Sequence, residues 1–160
     1  MMAGADDNRI LDRQTTFSEE ETRTYGCALA KKFFCQGGVL VLRGGLGAGK
    51  TQVARGLVEG LGGDPRMVSS PTFPVMQEYL AASIPVLHFD WYRLDSEDEV
   101  VALGWWECLE EGALVVVEWG DRFPRLLEGV GAAILDVRIA EGDCREMRLA
   151  AWENRGELLE

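Results

Sequence analysis

The chain has 160 residues, 47% of them hydrophobic, which is enough for one core and too little for two comfortable domains. Its net charge of −11 opposes non-specific attraction to nucleic acid, because that attraction depends on many Lys and Arg contacts to phosphates. The four cysteines are scattered and His88 is the only histidine, so free thiols in a reducing compartment are favoured over a metal site.

The N-terminal segment, residues 1–12, is polar and lacks the apolar core of a secretory signal, so we expect a flexible start. No later stretch reaches the ~18 uninterrupted apolar residues that a membrane span needs, which predicts a cytoplasmic protein without a membrane segment. The first helix is predicted from the capping box Ser18-Glu19-Glu20-Glu21 to about Phe34, with Tyr25 and Leu29 on its apolar side.

A glycine-rich run follows the predicted strand Val39–Leu42 and precedes a helix predicted over Lys50–Leu61. The run is Gly44-Gly45-Leu46-Gly47-Ala48-Gly49-Lys50-Thr51, which has the spacing of a phosphate-binding P-loop. Backbone N–H groups of such a loop grip phosphates, the Lys reaches the outer phosphates, and the Thr hydroxyl ligates magnesium. An accidental glycine turn is the alternative, and the flanking strand and helix argue against it. The sequence therefore predicts a nucleoside triphosphate site that extends to Gln52.

The next segment is a loop over Asp64–Phe73 that contains Ser69-Ser70-Pro71-Thr72-Phe73. Thr72 stands where GTPases keep a threonine that senses magnesium and the γ-phosphate. It is either such a switch or an ordinary turn residue beside Pro71, and the sequence leaves both open.

The later part of the chain alternates strands and short helices. Strands over Pro74–Tyr79 and Val86–Asp90 are expected to form a hairpin, and a second capping box at Ser96 starts a helix that Gly104 breaks. Leu114–Val117 is the most strand-like run, and two paired strands follow over Ala133–Ile139 and Met147–Trp152. We predict one α/β domain over residues 1–160, with three layers, a mostly parallel central sheet and antiparallel hairpins at its margin.

Two acids end apolar runs and are candidates for metal and water chemistry. Glu118 follows the more core-like run, so we assign it to magnesium and assign water orientation or activation to Asp90. The reverse assignment stays open, as does an exposed strand-end carboxylate at Glu118. His88 is interpreted as a structural histidine rather than a catalytic one.

The tryptophans raise the question of stacking on a base. Trp91, Trp105 and Trp106 are interpreted as core or interface residues. Trp119 is the exception, because it adjoins Glu118 and must lie near the mouth of the site.

Taken together, these motifs resemble the TsaE (YjeE) family of small bacterial P-loop ATPases. The resemblance lies in the Ser18 helix start, Leu46–Thr51, Ser70-Pro71-Thr72-Phe73, the run from His88 to Leu94, and Glu118-Trp119. It covers most of the chain. Gly45, Gln52 and Trp91 depart from residues that are common in the family, and none of the three is a proposed metal ligand.

The resemblance implies an ATPase that works with TsaB-like and TsaD-like proteins in threonylcarbamoyl modification of a tRNA adenosine next to the anticodon. tRNA would be met only indirectly, through that complex. ATP and Mg²⁺ would be the cofactors, with Lys50 on the phosphates, Thr51 and Glu118 on magnesium, Asp90 in a catalytic role, and Trp119 important for activity or partner contact.

A kinase, a GTPase and a nucleotide-gated binding module are the alternative functions. A small-molecule or nucleotide kinase shares the P-loop, but no arginine cluster suggests a lid over the phosphates. A GTPase lacks its Asn-Lys-x-Asp motif here, since the asparagines are Asn8 and Asn154. A nucleotide-gated binding module that hydrolyses little ATP is compatible with the function that the family resemblance implies.

Overall fold

The computed structural model describes residues 10–69, 75–80 and 83–152. Within these ranges one sheet contains the strands β1 (Ile10–Thr16), β2 (Gly38–Arg43), β3 (Met76–Leu80), β4 (Pro85–Asp90), β5 (Leu114–Glu118), β6 (Ala133–Ile139) and β7 (Arg145–Ala151). The α-helices are α1 (Glu19–Phe33), α2 (Lys50–Gly60), α3 (Glu97–Ala102) and α4 (Trp105–Glu110). Short 3₁₀ turns lie at Pro65–Met67, Gly120–Arg122 and Pro124–Leu127.

The sheet has the order β1-β7-β6-β2-β5-β4-β3. Its four central strands, β6, β2, β5 and β4, run parallel. β3 is antiparallel to β4 at one margin, while β7 and β1 add antiparallel pairings at the other. The prediction of a parallel centre with antiparallel hairpins at the margin is confirmed.

Helices cover the two faces of the sheet, which gives the predicted three layers. On one face α1 and α2 pack over alternate strand residues such as Leu114 and Val116, and on the other α3 and α4 pack over Val115 and Val117. Every residue of β5 is buried, as expected for a strand that is covered on both sides. Because side chains alternate between faces, the residue after Val117 returns to the α2 face.

The contact between α1 and α2 depends on small residues. A methyl group added at Gly56 would overlap the carbonyl oxygen of Arg23 and lie 2.8 Å from the backbone nitrogen of Cys27. One added at Gly26 would lie 2.5 Å from the carbonyl oxygen of Val53. The two backbones therefore touch directly, which holds α2 and the loop before it in a fixed position.

Both predicted capping boxes are present. The Ser18 hydroxyl accepts a hydrogen bond from the Glu21 N–H at 3.1 Å, and the Ser96 hydroxyl accepts one from the Glu99 N–H at 3.3 Å. Gly104, with a φ of 92°, separates α3 from α4 as its position predicted. Each cap satisfies a backbone donor that would otherwise have no partner in its helix.

The structure differs from the sequence prediction at the N-terminal side. Residues 10–12 were expected to be part of a flexible start, but they belong to β1, which pairs with β7. Tyr25 Oη donates to Asp12 Oδ2 at 2.8 Å, and the hydroxyls of Thr16 and Thr22 are 2.7 Å apart. Besides its pairing with β7, this strand is held by polar contacts to α1, and its sequence lacks the apolar alternation that reveals most strands.

Two other sequence predictions concern the cysteines and the possibility of a membrane-spanning helix. All four cysteines lie in the described ranges and are free, as predicted. None of the helices in those ranges is long and apolar enough to cross a membrane.

Candidate functional site

The glycine-rich run connects the C-terminal end of β2 to the N-terminus of α2, as the P-loop prediction requires. Gly47 has a φ of 75° and Gly49 a φ of 112°, so the loop turns twice through a conformation that favours glycine. Gly49 is the N-cap of α2, and the Ala48 N–H donates to the Gly45 carbonyl at 3.1 Å. Leu46 is fully exposed at the tip. The loop thus presents the N-terminus of an 11-residue helix, where anions are favoured.

Neighbouring strands hold the outer side of this loop. A methyl group at Gly44 would lie 2.6 Å from the carbonyl oxygen of Val137 in β6, so the loop starts in direct backbone contact with that strand. Arg145, the first residue of β7, donates from Nε to the Ala48 carbonyl at 2.9 Å and from Nη2 to the Gly47 carbonyl at 3.3 Å.

Glu118 lies at the end of β5, next to Leu42 of β2 in the register of the parallel pair. Its Oε1 is 3.5 Å from Lys50 Nζ, and its Oε2 is 2.9 Å from His88 Nε2. Glu118 is 4% exposed and His88 is 1% exposed, so the carboxylate is buried between two nitrogen donors. The alternative of a merely exposed strand-end carboxylate therefore does not fit this structure.

The surroundings of Glu118 favour its ionised form. Burial by itself raises the pKa of this carboxyl, but the hydrogen bond to His88 and the charges of His88 and Lys50 outweigh it and hold the pKa below the ordinary value. An ionised, buried carboxylate beside the loop lysine is a suitable ligand for a cation.

Asp90 is the register partner of Glu118 on the adjacent parallel strand β4. Its Oδ1 accepts a hydrogen bond from the Tyr92 N–H at 2.9 Å, and the Trp91 N–H donates to the Glu118 carbonyl at 3.0 Å. Burial raises the pKa of the Asp90 carboxyl, and the Tyr92 N–H only partly opposes this, while the negative charge of Glu118 adds to the rise. The pKa of the Asp90 carboxyl is thus raised, whereas that of its neighbour Glu118 is lowered.

Trp119 lies at the open side of the site, 44% exposed, with a φ of 62° that non-glycine residues rarely adopt. Its ring is 5.7 Å from Lys50 Nζ and 4.9 Å from the ring of Tyr92. The indole therefore lies beside the loop lysine, which is the group expected to reach the outer phosphates.

The other tryptophans are divided between core and surface. Trp91 and Trp105 are fully buried, with ring centroids 5.1 Å apart, which fits their interpretation as core residues. Trp106 is 46% exposed on α4.

The remaining predicted residues lie as follows. Thr51 and Gln52 are in the first turn of α2 and are half-buried. Thr72 lies outside the described residues. His88 is buried and bonds Glu118, which fits its interpretation as a structural histidine, and its spacing of two residues from Asp90 in a strand places both on the same face. Arg145 gave no signal, because its contacts join segments almost a hundred residues apart.

A separate groove of about 1080 Å³ lies over the open face of β6, β7 and β1. It shares Gly44, Gly45 and Ala48 with the loop, but its other lining comes from strand residues such as Arg13, Asp136 and Arg148. Lys50, Glu118 and Asp90 do not line it, so we place the phosphate chemistry at the α2 N-terminus and not in this groove.

Comparison with known proteins decides the family. The family model described as "Threonylcarbamoyl adenosine biosynthesis protein TsaE" matches residues 16–148. The chain belongs to the TsaE family. The family resemblance stated from the motifs is thereby confirmed.

Individual TsaE proteins show the same relationship. The tRNA threonylcarbamoyladenosine biosynthesis protein TsaE of Bacillus subtilis is 38% identical over 144 residues, which cover 90% of this chain and 88% of that protein. The TsaE of Rickettsia conorii is 37% identical over 113 residues, 71% of this chain and 63% of that protein. The crystal structure of Bacillus subtilis YdiB matches with a TM-score of 0.67 and 29% identity, covering 92% of this chain and 90% of that one.

Proposed function

We propose that this TsaE-family chain is a P-loop ATPase that binds and slowly hydrolyses Mg-ATP. It would support a TsaB–TsaD-like complex in threonylcarbamoyl modification of a tRNA adenosine next to the anticodon. The observation that carries the proposal is the position of Lys50 at the N-terminus of α2, 3.5 Å from Glu118 on the neighbouring parallel strand. This is the arrangement that P-loop enzymes use for a triphosphate and its metal.

Phosphate binding falls to the loop from Gly44 to Gln52. The backbone N–H groups at the start of α2 have no partners within the helix and favour an anion, and Lys50 adds a positive charge at the same place. The Lys50 side chain is only 15% exposed, so its attraction to a phosphate oxygen is screened less than that of a surface lysine.

Magnesium would be held by Thr51 and Glu118. Lys50 Nζ lies 3.5 Å from Oε1 of Glu118, and His88 Nε2 lies 2.9 Å from Oε2. Oε1 of Glu118 would be the oxygen offered to the metal, while His88 would keep Oε2 in position. The metal would then neutralise charge on the transferring phosphoryl group.

Water orientation or activation would fall to Asp90. Burial raises the pKa of this carboxyl, which favours its acting as a proton acceptor, and the Tyr92 N–H fixes one oxygen so that the other can face a water molecule. Thr72 would report on the γ-phosphate, and Trp119 would close the side of the site where Lys50 lies.

The partners would be TsaD-like and TsaB-like proteins in the cytoplasm. The net charge of −11 supports indirect contact with tRNA, because the chain carries 16 basic against 27 acidic residues. The names of the relatives, which refer to tRNA threonylcarbamoyladenosine biosynthesis, support the same pathway.

The assignment of roles predicts two kinds of loss. Lys50→Ala is expected to abolish measurable Mg-ATP binding, because it removes the charge that faces the outer phosphates. Asp90→Ala and Glu118→Ala are expected to reduce the single-turnover rate by roughly 10²- to 10⁴-fold while weakening binding much less. Calorimetric titration with Mg-ATP and single-turnover hydrolysis separate the two effects.

Glu59→Ala is the matched control, since Glu59 is an exposed carboxylate on the outer side of α2. It should leave both measurements unchanged. Equal loss of binding in the Lys50, Asp90 and Glu118 variants would contradict the assigned roles, and absence of Mg-ATP binding by the unmodified chain would overturn the proposed function.

A further inference from the structure

Arg145 joins the β6–β7 hairpin to the phosphate-binding loop. Three nitrogens of its guanidinium are used: Nε donates to the Ala48 carbonyl at 2.9 Å, Nη2 to the Gly47 carbonyl at 3.3 Å, and Nη1 to the Cys144 carbonyl at 3.2 Å. Two of these three bonds end on consecutive carbonyls of the glycine-rich loop. The planar fork of an arginine suits such a pair of acceptors, whereas a lysine offers a single point charge.

These bonds fix the direction of the loop's amide groups. In a trans peptide the C=O of one residue and the N–H of the next point in opposite directions. Holding the Ala48 carbonyl on Arg145 therefore turns the Gly49 N–H to the other side of the peptide, at the N-cap of α2. Holding the Gly47 carbonyl similarly directs the Ala48 N–H, which donates to Gly45 at 3.1 Å. The direction of the Gly49 N–H, at the N-cap of α2, is thus set by a residue outside the loop.

The loop needs such an external support because its glycines are flexible. Gly47 and Gly49 have φ values of 75° and 112°, and a glycine has more backbone freedom to lose on ordering than other residues. At the other end of the loop, Gly44 is held by its close approach to Val137 of β6. Arg145 fixes the other end of the loop, near the start of α2, through its hydrogen bonds to the Ala48 and Gly47 carbonyls.

We propose that Arg145 is a positioning residue, which keeps the phosphate-binding loop in its anion-binding conformation before nucleotide enters. The proposal rests on the proposed function as far as it concerns ATP. Part of the ordering cost of binding is then met during folding, so the nucleotide binds more tightly than it would to a free loop. Within the described residues, the hydrogen bonds of the Arg145 side chain end on carbonyl groups, so we do not assign it a catalytic role.

The test compares Arg145→Met and Arg145→Lys with Arg138→Met in the full-length chain. Arg138 lies in the same hairpin, where it pairs with Glu146 on the exposed face. Arg145→Met is expected to weaken Mg-ATP binding roughly tenfold in calorimetric titration, and to raise KM for ATP with less than about a twofold change in kcat. Arg145→Lys should recover part of the loss, and Arg138→Met should behave like the unmodified chain.

Amide hydrogen exchange without nucleotide gives a readout that does not depend on ATP. Exchange in residues 44–50 should become faster in Arg145→Met while the strands β2 and β5 keep their protection. Unchanged loop exchange and unchanged binding would overturn the proposal, and so would equal effects of Arg145→Met and Arg138→Met. If the Met variant fails to fold, the same exchange measurement on Arg145→Lys decides. Absence of Mg-ATP binding by the unmodified chain would instead refute the proposed function and leave the exchange test intact.

Discussion

His88 donates a hydrogen bond that favours the ionised form of Glu118. Its Nε2 lies 2.9 Å from a Glu118 oxygen, and an ionised carboxylate can only accept hydrogen bonds, so Nε2 must carry the hydrogen. Within the described residues, the other ring nitrogen, Nδ1, is buried without a hydrogen-bond partner. His88 thus bonds Glu118 through one ring nitrogen and leaves the other unpaired. A buried polar atom without a partner is uncommon, and this favours a role for His88 in positioning Glu118.

The two site carboxylates predict opposite effects on stability. The folded-state pKa of Asp90 lies above its ordinary value of 3.8, so ionised Asp90 destabilises the fold at neutral pH, and this cost disappears below about pH 3.8. The folded-state pKa of Glu118 lies below 4.5, so its stabilising effect is present above pH 4.5 and is lost as the pH falls through the lowered value.

Asp90→Asn is therefore expected to stabilise the nucleotide-free chain at pH 7 by about 0.5–2 kcal/mol, as removal of an active-site strain often does. Glu118→Gln should destabilise it at the same pH, because His88 and Lys50 lose their partner. Urea unfolding of both variants from pH 7 to pH 3.5 measures the effects, and both should shrink toward the acid end. Destabilisation by Asp90→Asn at pH 7 would show that the ionised Asp90 carboxylate does not destabilise the fold.

At the scale of elements, the α1–α2 contact makes a further prediction. Gly56→Ala should gain about 1 kcal/mol from helix propensity, yet the added methyl meets the backbone of α1 and costs about 3 kcal/mol. We expect a net loss of about 2 kcal/mol in the free energy of unfolding, measured by urea denaturation.

Glu59→Ala on the exposed side of α2 is the control, because it breaks only the exposed Arg23–Glu59 pair and should change stability by less than about 0.5 kcal/mol. Stabilisation by Gly56→Ala would mean that the helices can separate at little cost. In that case α2 would not be a rigid support for the loop.

The elements also show what could be predicted from sequence. The capping boxes at Ser18 and Ser96, the break at Gly104 and the buried run of β5 are local signals, and the structure confirms each of them. β1 was missed because its stabilising contacts, Tyr25 to Asp12 and Thr16 to Thr22, are polar and come from another element. A pattern of apolar residues cannot reveal a strand that is held in this way.

The candidate site shows the same division between local and long-range signals. Lys50, Glu118 and Asp90 were identified because each stands at the end of a strand or the start of a helix, which sequence shows directly. The bond of Arg145 to Ala48 depends on the strand order that places β6 and β7 beside β2, and that order is a property of the folded sheet. Long-range contacts of this kind need the structure.

For the whole molecule we predict slow turnover by the isolated chain. Arg66, the arginine of the predicted loop Asp64–Phe73, pairs with Asp64, and Arg145 donates to carbonyls of the phosphate-binding loop, so we assign neither to the transferring phosphoryl group. Phosphate release from Mg-ATP should therefore be slow for the purified chain and should rise at least about tenfold when a TsaB–TsaD-like complex is added.

Lys50→Ala in the same assay reports any contaminating ATPase. Full-speed turnover by the isolated chain, unaffected by the complex, would show that the chain needs no partner for catalysis. The interpretation that ATP turnover is coupled to the partner complex would then be wrong.

The register of β4 and β5 has a consequence for how this site can vary. Asp90 and Glu118 are direct neighbours across a parallel pair, so their α-carbons are separated by the lateral repeat of a sheet, about 4.8 Å. Insertions in surrounding loops cannot alter that interval, and only the length of each side chain adjusts the gap between the acidic groups. Replacing Asp90 by Glu, or Glu118 by Asp, would move a carboxylate by the length of one methylene group. We therefore expect the loops around the two positions to vary, whereas neither position should accept the other's residue.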